Sequence, residues 1–180
     1  MVALAEIGDK TQLLAIVLAT RFKRPWPIIG GIFAATIANH LLAALAGAQA
    51  AAFLDGVWFR YLVAASFIAM AIWTLIPDKI DRLEEKPARF GAFLTTLVAF
   101  FLVEMGDKTQ IATVALAARF REVAPIAIGT TIGMLLANVP AVLLGDQLVK
   151  RVPLRTVRVA AALLFLAIGL WLVVQTAGLF

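Results

Sequence analysis

Residues Ala5-Glu6-Ile7-Gly8-Asp9-Lys10-Thr11-Gln12 recur ninety-eight positions later as Val103-Glu104-Met105-Gly106-Asp107-Lys108-Thr109-Gln110. At the same offset Arg21-Phe22 matches Arg119-Phe120, Pro27-Ile28 matches Pro125-Ile126, and Gly47 and Gln49 match Gly145 and Gln147. Asn39 and Asn138 correspond once the offset slips by one residue. The chain is therefore two copies of one unit, each opening on the same charged block.

The surroundings of that block decide its solvent. Hydrophobic residues make up 63% of the chain and charged residues 15%, with a mean hydropathy of +0.97. A water-facing globule is about 45–50% apolar and about 25% charged, so this chain lacks the polar surface to cover itself and lipid is its solvent. A bilayer core takes about 20 residues per helix. Six apolar segments answer to that length, at 1–20, 27–50, 57–76, 91–118, 125–149 and 156–177. Prolines, glycines and charges fall between them, as at helix ends. The expected fold is an all-α polytopic membrane protein of six transmembrane helices, one transmembrane domain over residues 1–180. Repeat 1 covers about 1–76, a charged loop about 77–90, and repeat 2 about 91–180.

Three helices per repeat is an odd number, so the second copy enters the membrane in the opposite sense. Inverted-topology repeats are a secondary-transporter architecture, with the site near the midplane between repeats. Of the sixteen Lys and Arg residues, Lys10 and Lys108 lie inside spans. Eleven others collect on one side: Arg21, Lys23, Arg24, Lys79, Arg82, Lys86, Arg89, Lys150, Arg151, Arg155 and Arg158. Only Arg60, Arg119 and Arg121 lie on the other. The positive-inside rule puts the eleven in the cytoplasm and both termini outside it. The net charge of +5 and pI near 10.1 thus concern orientation in a lipid bilayer, not nucleic acid. The run from Asp78 to Lys86 reads as a solvated cytoplasmic loop. With no cysteine, disulfides, thiolate metal sites and cysteine catalysis are excluded. Both repeats are in one chain, so a monomer suffices, and a homodimer is compatible. Eleven residues from Phe93 to Val103 precede the second block but only five precede Glu6. The natural chain is expected to carry roughly nine more apolar residues upstream, because a half-span takes about ten residues or more.

Charged groups inside spans cost about 2.5–3.5 kcal/mol each on insertion scales and mark a functional site by default. Glu6 and Asp9 stand at i, i+3, as do Glu104 and Asp107, which on a helix is one face. Lys10 follows Glu6 by four and Lys108 follows Glu104 by four, so each lysine can neutralise a carboxylate of its own block. Four acids and two lysines leave −2, the deficit that one divalent cation or two protons would cancel. That arithmetic suggests exchange of a divalent cation for protons. Carboxylate, hydroxyl, amide and backbone carbonyl oxygens suit Ca²⁺, Mn²⁺ and Mg²⁺, whereas zinc and copper prefer histidine and sulfur. Glu6, Asp9, Glu104 and Asp107 are the first-choice ligands, with Thr11, Gln12, Thr109, Gln110, Asn39 and Asn138 in support. The metal is cargo, and no prosthetic group is expected. Gly8 and Gly106 permit close backbone approach or local helix opening. Asn39 and Asn138 read equally well as interhelical hydrogen-bond glue. His40 reads as a satisfied packing residue, Pro140 as a kink, Asp146 and Gln147 as solvated, and Gly30, Gly31, Gly129 and Gly133 as close-packing faces. Two other functions use the same acids: export of small cationic organic solutes such as basic amino acids, and a metal-dependent intramembrane enzyme. A passive channel is a fourth reading.

The paired Glu-x-Gly-Asp-Lys-Thr blocks resemble the membrane proteins catalogued as uncharacterised protein family 0016, over essentially the whole chain. That family includes bacterial manganese exporters and Golgi and chloroplast relatives that move Mn²⁺ and Ca²⁺ against protons. The resemblance implies a cation antiporter in which Glu6, Asp9, Glu104 and Asp107 bind the metal. Gly8, Gly106, Lys10, Lys108, Thr11 and Thr109 complete the blocks. The short loops look like the bacterial branch, which implies the plasma membrane.

Overall fold

The computed structural model describes residues 1–54, 56–76, 91–145 and 153–178, and every regular element among them is a helix. They are α1 (Val2–Glu6), α2 (Lys10–Phe22), α3 (Pro25–Phe53), α4 (Val57–Leu75), α5 (Ala92–Glu104), α6 (Lys108–Phe120), α7 (Val123–Leu144) and α8 (Leu154–Thr176). Of these α3, α4, α7 and α8 are long and apolar enough to cross a membrane. The expected loop at 77–90, and Asp146, Gln147, Lys150 and Arg151, lie outside the described residues.

The first and fourth apolar segments are not the single helices that their composition suggests. Each breaks at the charged block, into α1 and α2 and into α5 and α6. Gly8 and Gly106 adopt φ of +81° and +78°, values that only glycine reaches without strain. Asp9 and Asp107 follow in extended conformation as the N-caps of α2 and α6. Both second halves then run thirteen residues and stop the same way. Lys23 and Arg121 turn left-handed, and their N–H groups donate to the carbonyls of Ala19 and Ala117. Pro25 then opens α3 at a first-turn position where its missing N–H is not needed.

α3 is the central element, packed against α5, α6 and α7, while α1 and α2 lie against α7. Glycines set the closest of these contacts. A Cβ on Gly31 would stand 2.7 Å from the Phe93 carbonyl oxygen of α5, and one on Gly133 would stand 2.9 Å from the Val2 Cβ of α1. A Cβ on Gly47 would run into the Val114 carbonyl of α6. The expectation of close packing fails at Gly129, which has nothing within 4 Å, and at Gly30, which meets the Phe93 ring at an ordinary 3.5 Å. Both lie on faces of their helices that no backbone approaches.

α4 and α8 pair antiparallel beside this assembly. Phe67 meets Phe165 with ring centroids 6.3 Å apart, Gly169 lies on Ala64 and Ile68, and Leu75 neighbours Arg155 and Arg158. One end of the bundle is tied by Arg119 donating to the Gln175 side chain and Arg121 Nη2 donating to the Ala51 carbonyl at 3.2 Å. The polarity runs opposite to that of a water-soluble protein. Leu62, Ile72, Leu136 and Leu163 are exposed on the outside, while Glu6, Asp9, Gln12, Asn39, Glu104, Asp107, Lys108 and Asn138 are buried. That distribution suits a lipid surround, where association rests on close packing and interhelical hydrogen bonds rather than on expelling water.

Candidate metal centre

The two charged blocks fold into the same tight turn. α1 ends on Glu6, whose carbonyl accepts the Asp9 N–H at 3.1 Å, and α5 ends on Glu104, whose carbonyl accepts the Asp107 N–H at 3.1 Å. Inside each turn a glutamine side chain replaces the lost helical acceptor. Gly8 N–H donates to Gln12 Oε1 at 2.8 Å and Gly106 N–H to Gln110 Oε1 at 2.6 Å. Each turn thus places a glutamate at the end of one helix and an aspartate at the start of the next. The amide ends of α2 and α6, whose dipoles favour negative charge, lie beside the acids.

The lysines connect the turns crosswise. Lys10 Nζ lies 3.0 Å from Asp107 Oδ1, and Lys108 Nζ lies 3.1 Å from Asp9 Oδ1. The expected pairing of each lysine with the glutamate of its own block is therefore corrected. It relied on i, i+4 neighbours along one helix, and the glycine turn between Glu6 and Lys10 removes that geometry. The same break corrects the shared helix face of Glu6 and Asp9, which the turn brings together instead. The glutamates take hydroxyl partners. Thr11 Oγ1 donates to Glu6 Oε2 at 2.7 Å and Thr109 Oγ1 to Glu104 Oε2 at 3.3 Å.

Glu6, Glu104, Asp9 and Asp107 are all buried, at no more than 2% exposure. Glu6 Oε1, Glu104 Oε1 and Asp107 Oδ2 have no hydrogen-bond partner among the described residues. Glu6, Asp9 and Asp107 each present an oxygen within 4.8 Å of the others. Calcium–oxygen bonds run about 2.3–2.6 Å, so two ligands of one hard cation stand at most about 5 Å apart, and these three meet that condition. Glu104 is not part of this close group. Each aspartate is matched by a lysine, and Glu6 and Glu104 are the two carboxyl groups of the site left without one.

The amides act as framework. Gln12 Nε2 donates to the Ala137 carbonyl at 3.0 Å, tying the first turn to α7 three residues before Pro140. Asn39 Nδ2 donates to the Phe101 carbonyl at 2.9 Å. Phe101 is in the last turn of α5, where carbonyls lose their helical donors, so Asn39 caps the broken end. Asn138 instead turns back on α7, donating to the Met134 carbonyl at 3.1 Å.

His40 departs from the sequence reading. It is fully buried beside Asn39, and neither ring nitrogen has a hydrogen-bond partner among the described residues, so it is not a satisfied packing residue. Thr36 and Thr131 carry buried hydroxyls in the same condition, and sequence reasoning had not singled them out. Their trace in the sequence is a hydroxyl within a mostly apolar helix.

The profile of the family described as divalent cation/proton antiporter GDT1 matches residues 1–82 and 92–179. A Vibrio cholerae protein named "Putative manganese exporter" is 49% identical over 170 residues, covering 94% of this chain and 84% of that protein. A GDT1-like protein of Synechocystis is 29% identical over 189 residues, covering 92% and 89%. GDT1-like protein 5 of Arabidopsis thaliana is 27% identical over 210 residues, covering 94% and 90%. No solved structure matches the chain significantly.

Proposed function

The chain belongs to the divalent cation/proton antiporter family GDT1, and on that premise we propose that it exports Mn²⁺ or Ca²⁺ from the cytoplasm at the paired turns. It is a membrane cation/proton antiporter and not an enzyme, so the enzyme and organic-solute readings fall away. The observation that carries the site assignment is the crosswise pairing of Lys10 with Asp107 and Lys108 with Asp9. Because the aspartates already have cations, a divalent ion entering between the turns meets the charge of Glu6 and Glu104. Glu6, Asp9 and Asp107 supply the oxygens that converge, and Glu104 supplies the remaining charge. Thr11 and Thr109 orient the two glutamates, Gln12 and Gln110 hold the turns, and Asn39 and Asn138 flank them on α3 and α7. A Mn²⁺ cargo agrees with this all-oxygen set and with the name of the Vibrio cholerae relative.

In this reading α1–α2, α3, α4, α5–α6, α7 and α8 are six crossings, forming inverted halves at 1–76 and 91–180. The chain resides in the bacterial plasma membrane with both termini outside, following the distribution of its basic residues. A monomer contains both turns. Transport proceeds by alternating access: cytoplasmic metal displaces protons from the carboxylates, the halves rock, and external protons reload the site.

The test is counterflow in proteoliposomes. A Mn²⁺ gradient should drive proton movement in the opposite direction, read by an internal pH dye, and Glu104→Gln should abolish both fluxes. Manganese flux with no accompanying proton flux would overturn the exchange mechanism.

A further inference from the structure

A cavity of about 460 Å³ opens between the C-terminal end of α4 and the N-terminal end of α8, lined by Leu75, Arg155, Arg158 and Val159. It lies at the end of the bundle remote from the Arg119–Gln175 contact, and none of these four residues belongs to a charged turn, although Leu154 beside Arg155 packs on Gly8. Among the described residues its lining is two guanidinium and two aliphatic side chains. Arg155 and Arg158 stand at i, i+3 and so on one side of α8. Among the described residues neither makes an ion pair with a carboxylate, and Arg158 Nε donates to the Leu154 carbonyl at 3.4 Å. Two cationic side chains side by side repel each other unless an anion lies between them. The planar guanidinium fork matches phosphate oxygens in geometry as well as charge. Beside the aliphatic half, Ile72 of α4 and Ile76 just past its end are 63% and 59% exposed. A ligand filling this cavity therefore carries a phosphate at one end and hydrocarbon at the other.

We propose that this cavity is a binding site for the headgroup of an anionic phospholipid. Arg155 and Arg158 take the phosphate, and Leu75 and Val159 flank the start of the acyl chains. Basic pockets between transmembrane helices on the cytoplasmic side are suited to such headgroups. The choice of leaflet rests on the orientation proposed above, which puts both arginines at the cytoplasmic surface. The lipid would clamp α4 to α8, the pair packed beside the helices that carry the turns.

The test uses the full chain in detergent, titrated with phosphatidylglycerol, with phosphatidylcholine of the same chains, and with inorganic phosphate, and read by native mass spectrometry. One phosphatidylglycerol should saturate the protein, phosphatidylcholine should bind more weakly, and inorganic phosphate should not displace the lipid. Arg155→Gln with Arg158→Gln should weaken phosphatidylglycerol about thirty-fold, or about 2 kcal/mol at 1.4 kcal/mol per decade. Arg60→Gln, at the opposite end of α4, should leave binding unchanged. Undiminished binding by the double variant, or an equal loss in Arg60→Gln, overturns the site. Displacement by inorganic phosphate overturns its lipid character. Orientation is read separately by labelling Ala177→Cys in a chain with no other cysteine using an impermeant maleimide. Labelling from the cytoplasmic side alone would overturn the leaflet while leaving the lipid adduct as measured.

Discussion

Lys10 and Lys108 hold equivalent places in the two copies, yet the structure gives them unequal surroundings. In the Lys108–Asp9 pair the lysine side chain is 5% exposed, and in the Lys10–Asp107 pair it is 33% exposed. Removing one partner of a fully buried pair leaves a charge without compensation and costs about 3–5 kcal/mol. In the Lys10–Asp107 pair only the lysine is screened by its exposure, while Asp107 stays buried at 3%, so the loss on removing Lys10 is smaller than at the fully buried pair. Lys108→Met should therefore lower the apparent Tm in detergent, followed by tryptophan fluorescence, far more than Lys10→Met. Equal losses would contradict the inequality of the two pairs. This asymmetry was not legible in the sequence, where the two lysines occupy identical octapeptide positions. What was legible was the set of acids and lysines, because a charge inside an apolar span is conspicuous. Their partners were not, because pairing across repeats depends on how the two turns face each other.

At the scale of the element, the deciding event is the break inside two apolar segments. The sequence carried half of its signature: Gly8 and Gly106 beside the acids indicated possible opening, and Asp9 and Asp107 are residue types favoured as N-caps. Hydropathy masked the rest, since apolar residues continue on both sides and composition alone reads one helix. The stops at Lys23 and Arg121 were hidden for another reason: a left-handed C-terminal residue is usually glycine, and here it is basic. Glycine roles also divide only in three dimensions. Gly47→Ala should cost about 1–3 kcal/mol, because its Cβ meets the backbone of α6 and the helices must separate. Gly129→Ala should be neutral or stabilise by up to about 1 kcal/mol, since nothing lies within 4 Å and alanine is the better helix former. Thermal melts of the two variants in the same detergent check the pair. A loss at Gly129→Ala matching that at Gly47→Ala would refute the packing account.

For the whole molecule, the placement of charge bears on the stoichiometry of exchange. Asp9 and Asp107 each have a lysine, so the metal-free, deprotonated site carries −2 on Glu6 and Glu104. One divalent cation neutralises it, and so do two protons. In the proposed cycle both loaded forms are neutral as the halves rock, whereas the empty form would carry its charge through a low-dielectric interior at high cost. The charge count thus couples the fluxes, favouring reorientation with metal or with protons and disfavouring it with neither. Exchange of one Mn²⁺ for two H⁺ moves no net charge. Acidifying the side that receives the metal should speed export, because protonation is what empties the carboxylates there. Acidifying the cytoplasmic side should slow it, because protons compete with metal for the same oxygens. Membrane potential should have no effect on the final distribution. With potential clamped by potassium and valinomycin, the equilibrium Mn²⁺ ratio across proteoliposomes should follow the square of the proton ratio and ignore the voltage. Exchange for a single proton would carry one charge per cycle, worth about 2.3 kcal/mol per 100 mV, and would shift that ratio about fifty-fold over the same interval. A voltage-dependent ratio that follows the cube of the proton ratio would mean that one lysine–aspartate pair opens during transport and that its aspartate also carries a proton.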